Sequence, residues 1–299
     1  MIYCIFDSDF MQQLNSTQMK KRTFLSSAYF LGIALFIMAM VINSCAGKTN
    51  SEDAEKKKKI FNPMVKEAIE KEVEEFVSPL PNSFEVTQML NNIGISYILG
   101  LSNPVTNVDR YFTEKSKALN LGVYGADLSY ASTYHMKQDV MLYLEATKKL
   151  TDDLEISSAF NETLVESIEK TLDNKEELIE IITNSFNNTY DFLYQNGKAS
   201  LSLLVISGSW IEGLFLTTHV SANVYHNYEI VKIIHGQKES LKKLLDILNE
   251  YKEDQIIQEF LNDLTPLKEI YDSIGETLTE EQVNEISTAV ETLREKIVA

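Results

Sequence analysis

From Asn62 onward, apolar residues recur at i, i+3, i+4 spacing, the pattern that turns one face of a helix towards a core. The segments this spacing predicts run roughly over 62–77, 83–102, 106–121, 122–150, 153–171, 174–196, 198–235, 237–250, 253–274 and 280–297, each end placed to within about 2 to 4 residues. Asn62-Pro63 and Thr265-Pro266 pair a capping side chain with a first-turn proline, and Thr279-Glu-Glu-Gln282 fits a capping box. Ser78-Pro-Leu-Pro-Asn82 and Asn103-Pro104 are the clearest breaks. No alternating strand pattern with hairpin punctuation occurs, and 11 Gly with 5 Pro supply too few joints for a sandwich or barrel. Nor does the chain repeat itself at the periods near 34 or 40 that mark helical arrays. The expected fold is all-α: an irregular multi-helix bundle with a buried central hydrophobic helix, formed as one domain by residues 62–299.

The central helix is expected between Lys198 and Glu229, where Glu212 is the sole formal charge. A helix apolar nearly all round is either the middle of a bundle or a membrane span. Glu212 and the interspersed Ser200, Ser202, Ser207, Ser209, Thr217 and Thr218 favour the bundle, because an ionisable group at mid-bilayer costs about 2.5 kcal/mol or more. Gly208 and Gly213 weaken the helix by up to about 1 kcal/mol each relative to Ala, which implies close packing there. Gly122, Ala126, Ser129 and Thr133 form a matching small face, so the helices around 122–135 and 200–226 are expected to cross at these residues.

Polar side chains on this apolar background are the candidate chemistry. Glu212, His219 and His226 are spaced by seven and, with Ser209, Asn223 and Glu229, make a polar stripe. Tyr124, Asp127, Tyr130 and Tyr134 share a face of the other helix, and phenols beside a carboxylate suit either a hydrogen-bonded network or a ligand-lined groove. Tyr124, Asp127, Tyr130, Tyr134, Trp210, Glu212 and His219 are therefore the candidate ligand-binding set, with Glu212 expected to be buried and paired with Tyr130 or Tyr134. For a divalent metal, the only cofactor considered, the chelating spacings are His226 with Glu229 and His135 with Asp139. Nothing in the sequence brings those two pairs together, and no cofactor is expected in the principal reading.

Composition narrows the partners. Lys plus Arg total 27 against 44 Asp plus Glu, a net charge of -17, which repels a phosphate backbone and argues against nucleic acid. Acidic runs such as Glu67, Glu70, Glu74 and Glu176, Glu177, Glu180 read as solvated faces.

At the N-terminus, Met19 is followed by Lys20, Lys21 and Arg22 and then by an uncharged run from Thr23 to Ile42 that leads into Asn43-Ser44-Cys45. A basic n-region, an apolar h-region and a small residue before Cys make this segment resemble a bacterial lipoprotein signal. Residues 1–18 carry Asp7 and Asp9 and no basic residue, so they are expected to be untranslated, with 19–44 as the signal peptide. The resemblance implies that Cys45 is lipidated as the mature N-terminus; the alternative is an uncleaved membrane-spanning helix. Residues 45–61, with AGKTNSEDAEKKKK after the Cys, read as a flexible tether. Signal and tether together look like those of Bacteroidetes-type lipoproteins, which implies an extracytoplasmic location, on the periplasmic face or the cell surface, with the membrane as partner through the lipid.

Past Cys45 there is no cysteine, and G-x-S-x-G, G-x-G-x-x-G and the phosphate-loop pattern are all absent. Two functions remain. One is a membrane-tethered module that binds a small molecule or protein of unknown identity. The alternative is an extracytoplasmic helical enzyme, with or without a metal held by the ligand pairs above, using Asp127, His135, Glu212, His219 and His226.

Overall fold

The computed structural model describes residues 83–157 and 162–299, which are mostly helical and contain no strand. Expectations that fall on 1–82 (the signal, Cys45, the tether and the helix over 62–77) lie outside the described residues. The α-helices are α1 Ser83–Asn92, α2 Glu114–Thr133, α3 Lys137–Asp153, α4 Glu162–Thr171, α5 Lys175–Gln195, α6 Ala199–His219, α7 Tyr228–Glu250, α8 Gln255–Ser273 and α9 Glu280–Val298, with 3-10 turns at Val105–Arg110 and Val224–His226.

Helix α6 is the centre of the bundle. It is long and apolar enough to cross a membrane, yet its residues from Leu201 to Thr218 are all buried by protein. Helices α1, α2, α5, α7 and α9 surround it, and α2 makes the most extensive contact. The crossing of α2 and α6 is built on glycine. A Cβ on Gly122 would overlap the Val205 carbonyl oxygen, and one on Gly208 would overlap the Leu119 carbonyl oxygen. The two backbones touch there, and that contact offsets the helix-weakening cost of glycine.

The other small residues serve a third helix. Ser129 Oγ and Thr133 Oγ1 both lie 3.1 Å from Thr87 Oγ1 of α1, and Ser209 Oγ donates to Ser83 Oγ at 3.0 Å. Gly213 faces Ser83 as well, with 3.9 Å of ordinary contact distance to spare for a Cβ. Helix α1 therefore lies along the small faces of both α2 and α6, and Gly213 is no part of the crossing.

Several expected boundaries move, each for a local reason. The segment 122–150 divides because α2 ends in a reverse turn with His135 at φ 59°: the His135 N–H donates to Ser132 O and the Met136 N–H to Ala131 O, a C-terminal cap that usually takes Gly. The segment 198–235 divides after His219, where Asn227 caps a new helix by accepting from the N–H groups of Glu229 and Ile230. The start expected at Thr265-Pro266 lies inside α8, whose cap is Asp254. The stretch expected as one helix over 83–102 ends at Asn92, and from Ile93 to Thr113 the chain is non-helical apart from the 3-10 turn. Thr113 and Ser116 then form the capping box of α2. The expected caps of α9 at Thr279 and Gln282 are in place.

Candidate functional site

A buried charge cluster forms where α2, α6 and α9 meet. Glu212, 0% exposed, takes both prongs of the Arg294 guanidinium: Nε donates to Oε2 at 2.6 Å and Nη2 to Oε1 at 2.8 Å. Arg294 also lies over the Phe215 ring, 4.0 Å from its centroid, and His219 stacks on that same ring at 4.2 Å. The partner expected for Glu212, Tyr130 or Tyr134, is thus corrected to Arg294. Tyr130 instead accepts from the Ile98 N–H at 2.9 Å, and the Tyr134 hydroxyl is buried without a partner. A guanidinium fork neutralises a buried carboxylate better than a phenol does, since it supplies a full charge and two aligned donors.

Asp127 is the second carboxyl in this interior, also 0% exposed. Its Oδ2 accepts from the Asn103 N–H at 3.1 Å, while Oδ1 and the nearby Ser102 Oγ have no partner in hydrogen-bonding geometry. Burial, and next the charge of Glu212, push Asp127 well above the ordinary carboxylate range; Arg294, Ser102 and the Asn103 N–H oppose this without reversing it. Burial thus favours the protonated form of Asp127 beside the paired Glu212 and Arg294. Arg294 has its own affinity for the proton reduced by burial and raised by Glu212 and Asp127, with a net increase.

The segment 93–113 closes the cluster like a strap. Asn103 spans it, donating its backbone N–H to Asp127 and its side-chain amide to Tyr111 Oη at 2.9 Å. The Tyr124 hydroxyl donates to Pro104 O at 3.0 Å, the Tyr97 hydroxyl to Asp139 Oδ2 at 2.8 Å, and Lys149 pairs with Asp109. Asn103 precedes a proline, which disfavours helical backbone at that position. Tyr111, Tyr124 and Tyr143 line the same interior, with ring centroids 6.3 Å apart for the first two and 6.1 Å for the second two.

The remaining candidates lie elsewhere. Trp210 is buried and donates Nε1 to Gln237 Oε1 at 2.9 Å. His219 pairs Nδ1 with the Phe215 carbonyl at 2.9 Å, and its Nε2 sits 3.8 Å from Glu291. His219 and His226 do border one open depression of about 470 Å³ between the end of α6 and α9, but it is separate from Asp127. A helix break falls within each of the expected chelating pairs: His135 precedes α3 while Asp139 lies within it, and Asn227 caps α7 between His226 and Glu229. Among the described residues, no three His, Cys, Asp or Glu side chains gather as metal ligands would.

Sequence reasoning missed Arg294, Ser102, Asn103, Tyr111 and Tyr143. Arg294 had a signal: it adjoins the apolar stripe Val283, Ile286, Val290, Leu293, Ile297 of α9, where an exposed face should begin. Comparison with protein-family models, curated proteins and solved structures finds no match for this chain.

Proposed function

We propose that the chain is a lipid-tethered extracytoplasmic binding module, anchored through Cys45 and carrying its ligand site beneath the strap at 93–113. One observation carries the binding part: Asp127, a completely buried carboxyl with no cation of its own, lies under a long non-helical segment, and neither its Oδ1 nor the neighbouring Ser102 hydroxyl makes a hydrogen bond of full geometry. Interiors that serve packing alone pair almost all their polar atoms, and connections this long inside a bundle usually belong to sites. The tether rests on the basic Lys20-Lys21-Arg22, the uncharged run after it and Cys45 at its end. An enzyme using Asp127, His135, Glu212, His219 and His226 has less support, since neither carboxyl hydrogen-bonds a histidine: Asp127 pairs with the Asn103 N–H and Glu212 with Arg294.

Two measurements test this reading. Metabolic labelling with a fatty-acid analogue should mark the wild type and leave Cys45→Ala unlabelled and released from membranes; equal labelling of both defeats the tether. Hydrogen exchange should show the Ile98 and Asn103 amides opening far more readily than the core of α6, as a gated site requires. Exchange of those amides only on global unfolding defeats the gate.

A further inference from the structure

Helix α7 carries a glycine that the packing of the bundle does not explain. Gly122 and Gly208 lie where another backbone touches them, but a Cβ on Gly236 would meet no other part of the chain within 4 Å. Glycine weakens a helix interior relative to alanine, and no close approach among the described residues offsets that loss at Gly236. The residue lies in a depression of about 390 Å³ between α1 and α7, with Met89, Ile93 and Ile233 among its walls. Met89 is large and apolar, yet 42% exposed.

Charges on the outward side of α7 are ordered about this glycine. Glu229 and Lys232 precede it, and Glu239 and Lys243 follow it, so the sequence of signs is minus, plus, glycine, minus, plus. Among the described residues none of the four forms an ion pair within the chain. Their charges cancel on a chain of net charge -17, so this face does not repel a second copy as the chain's net charge does.

We propose that the chain forms a homodimer through α7, with two copies of the helix packed antiparallel about a two-fold axis at Gly236. That symmetry sets residues after the glycine on one copy against residues before it on the other. Lys232, four positions before, then meets Glu239 of the partner subunit, three positions after. Glu229, seven before, meets Lys243 of the partner subunit, seven after. The two-fold axis repeats both contacts, giving four ion pairs. Parallel packing about a two-fold axis would set each charge against its own copy, which selects the antiparallel arrangement. On the α1 side, Met89, Ile93 and Ile233 of both copies supply an apolar centre, and an apolar centre with a charged rim is the usual anatomy of a specific interface. Gly236 lets the two helices approach closely, as Gly122 and Gly208 do for α2 and α6. This face includes no part of the Asp127 cluster, so the inference stands apart from the binding-module reading.

The test uses the full chain in mild, density-matched detergent, sedimented over a dilution series. The expected result is a monomer–dimer equilibrium that weakens as sodium chloride is added. Lys232→Glu turns two attractive contacts into repulsive ones and should weaken the dimer by at least about tenfold. Lys232→Glu combined with Glu239→Lys restores the pairs in the reversed sense and should recover association. Gly236→Leu should weaken the dimer by at least about tenfold through steric separation without lowering the melting temperature of the monomer, because its side chain has open space within one chain. A chain that stays monomeric at every concentration overturns the proposal. A dimer indifferent to Lys232→Glu, the behaviour of copies held together by a lipid anchor alone, overturns it as well, as does a double charge variant that associates no better than the single one. A lowered melting temperature for monomeric Gly236→Leu assigns the glycine to the fold's own packing and has the same consequence.

Discussion

Arg294→Met tests the energetics of the interior most directly. The substitution keeps the length and apolar stem of the side chain but leaves Glu212, completely buried, with no cation, and removes the attraction that partly offsets the burial of Asp127. Breaking a buried pair by removing one partner costs about 3 to 5 kcal/mol, because the survivor stays desolvated without compensation. Loss of the guanidinium from the Phe215 face adds to this, by about 0.5 to 2 kcal/mol for a shielded site. In a domain of this size each kcal/mol moves the melting temperature by about 2 to 4 °C, so the variant should melt at least about 6 °C below the wild type. The double variant Glu212→Leu with Arg294→Met should recover most of that loss, since well-packed apolar replacements of a buried pair are often neutral or better. Urea unfolding followed through Trp210, the chain's one tryptophan and itself in α6, reads all of these. If Arg294→Met lies within about 1 kcal/mol of wild type, or the double variant is as unstable as the single one, the reasoning from charge burial fails.

Three further outcomes follow from the same geometry. Gly208→Ala and Gly122→Ala should each cost about 1 to 3 kcal/mol or more by forcing backbones apart, whereas Gly213→Ala should be neutral or stabilising; equal midpoints for Gly208→Ala and Gly213→Ala would contradict the placement of the crossing. Asp127→Asn should gain stability relative to wild type as pH rises. Its carboxyl is raised in the folded chain while the unfolded value stays near about 3.9, so between the two the folded state holds the extra proton and wild-type stability falls with increasing pH. Parallel stability profiles for wild type and Asp127→Asn from acid to neutral pH would show that Asp127 is not held protonated. Finally, Tyr111→Ala should speed exchange at the Asn103 amide without altering that of α6 amides, because Tyr111 is tied to the strap through the Asn103 side chain.

The all-helical bundle and its buried centre were legible because both follow from local pattern. The periodicity of α5 and α9, the cap at Thr279 and the unbroken apolar surface of α6 are each set by residues within a few turns. Boundaries went astray where the chain uses an uncommon residue for a common geometry. His135 takes the left-handed cap position that Gly fills at Gly197, so nothing marks the end of α2 in the sequence. Pro266 misled in the other direction: a proline inside α8 looks like a start, but Asp254 had already capped the helix. The site was half legible. Asp127 and Glu212 stand out as acids on apolar helices, while their partners Arg294 and Asn103 come from other elements, and Arg294 is separated from Glu212 by 82 positions. A single sequence records that a buried charge needs a partner and not which residue the fold delivers.

The glycine crossing and the charge cluster are one arrangement. Gly122 and Gly208 bring the backbones of α2 and α6 into contact, and each helix carries its acid about one turn further on, at Asp127 and Glu212. Larger residues at the crossing would hold the helices apart by a side-chain layer, leaving space for water and weakening the repulsion between the two carboxyls. With the layer absent, the acids share one dry interior, and Glu212 contributes to holding the proton on Asp127. Arg294 can satisfy one acid bidentately and cannot serve both, because its fork is spent on Glu212. What is left over is an acid whose protonated form burial favours, covered by the non-helical strap that bonds it through the Asn103 backbone N–H. The close packing that gives the bundle its centre thus also creates the unpaired group on which a binding function would act.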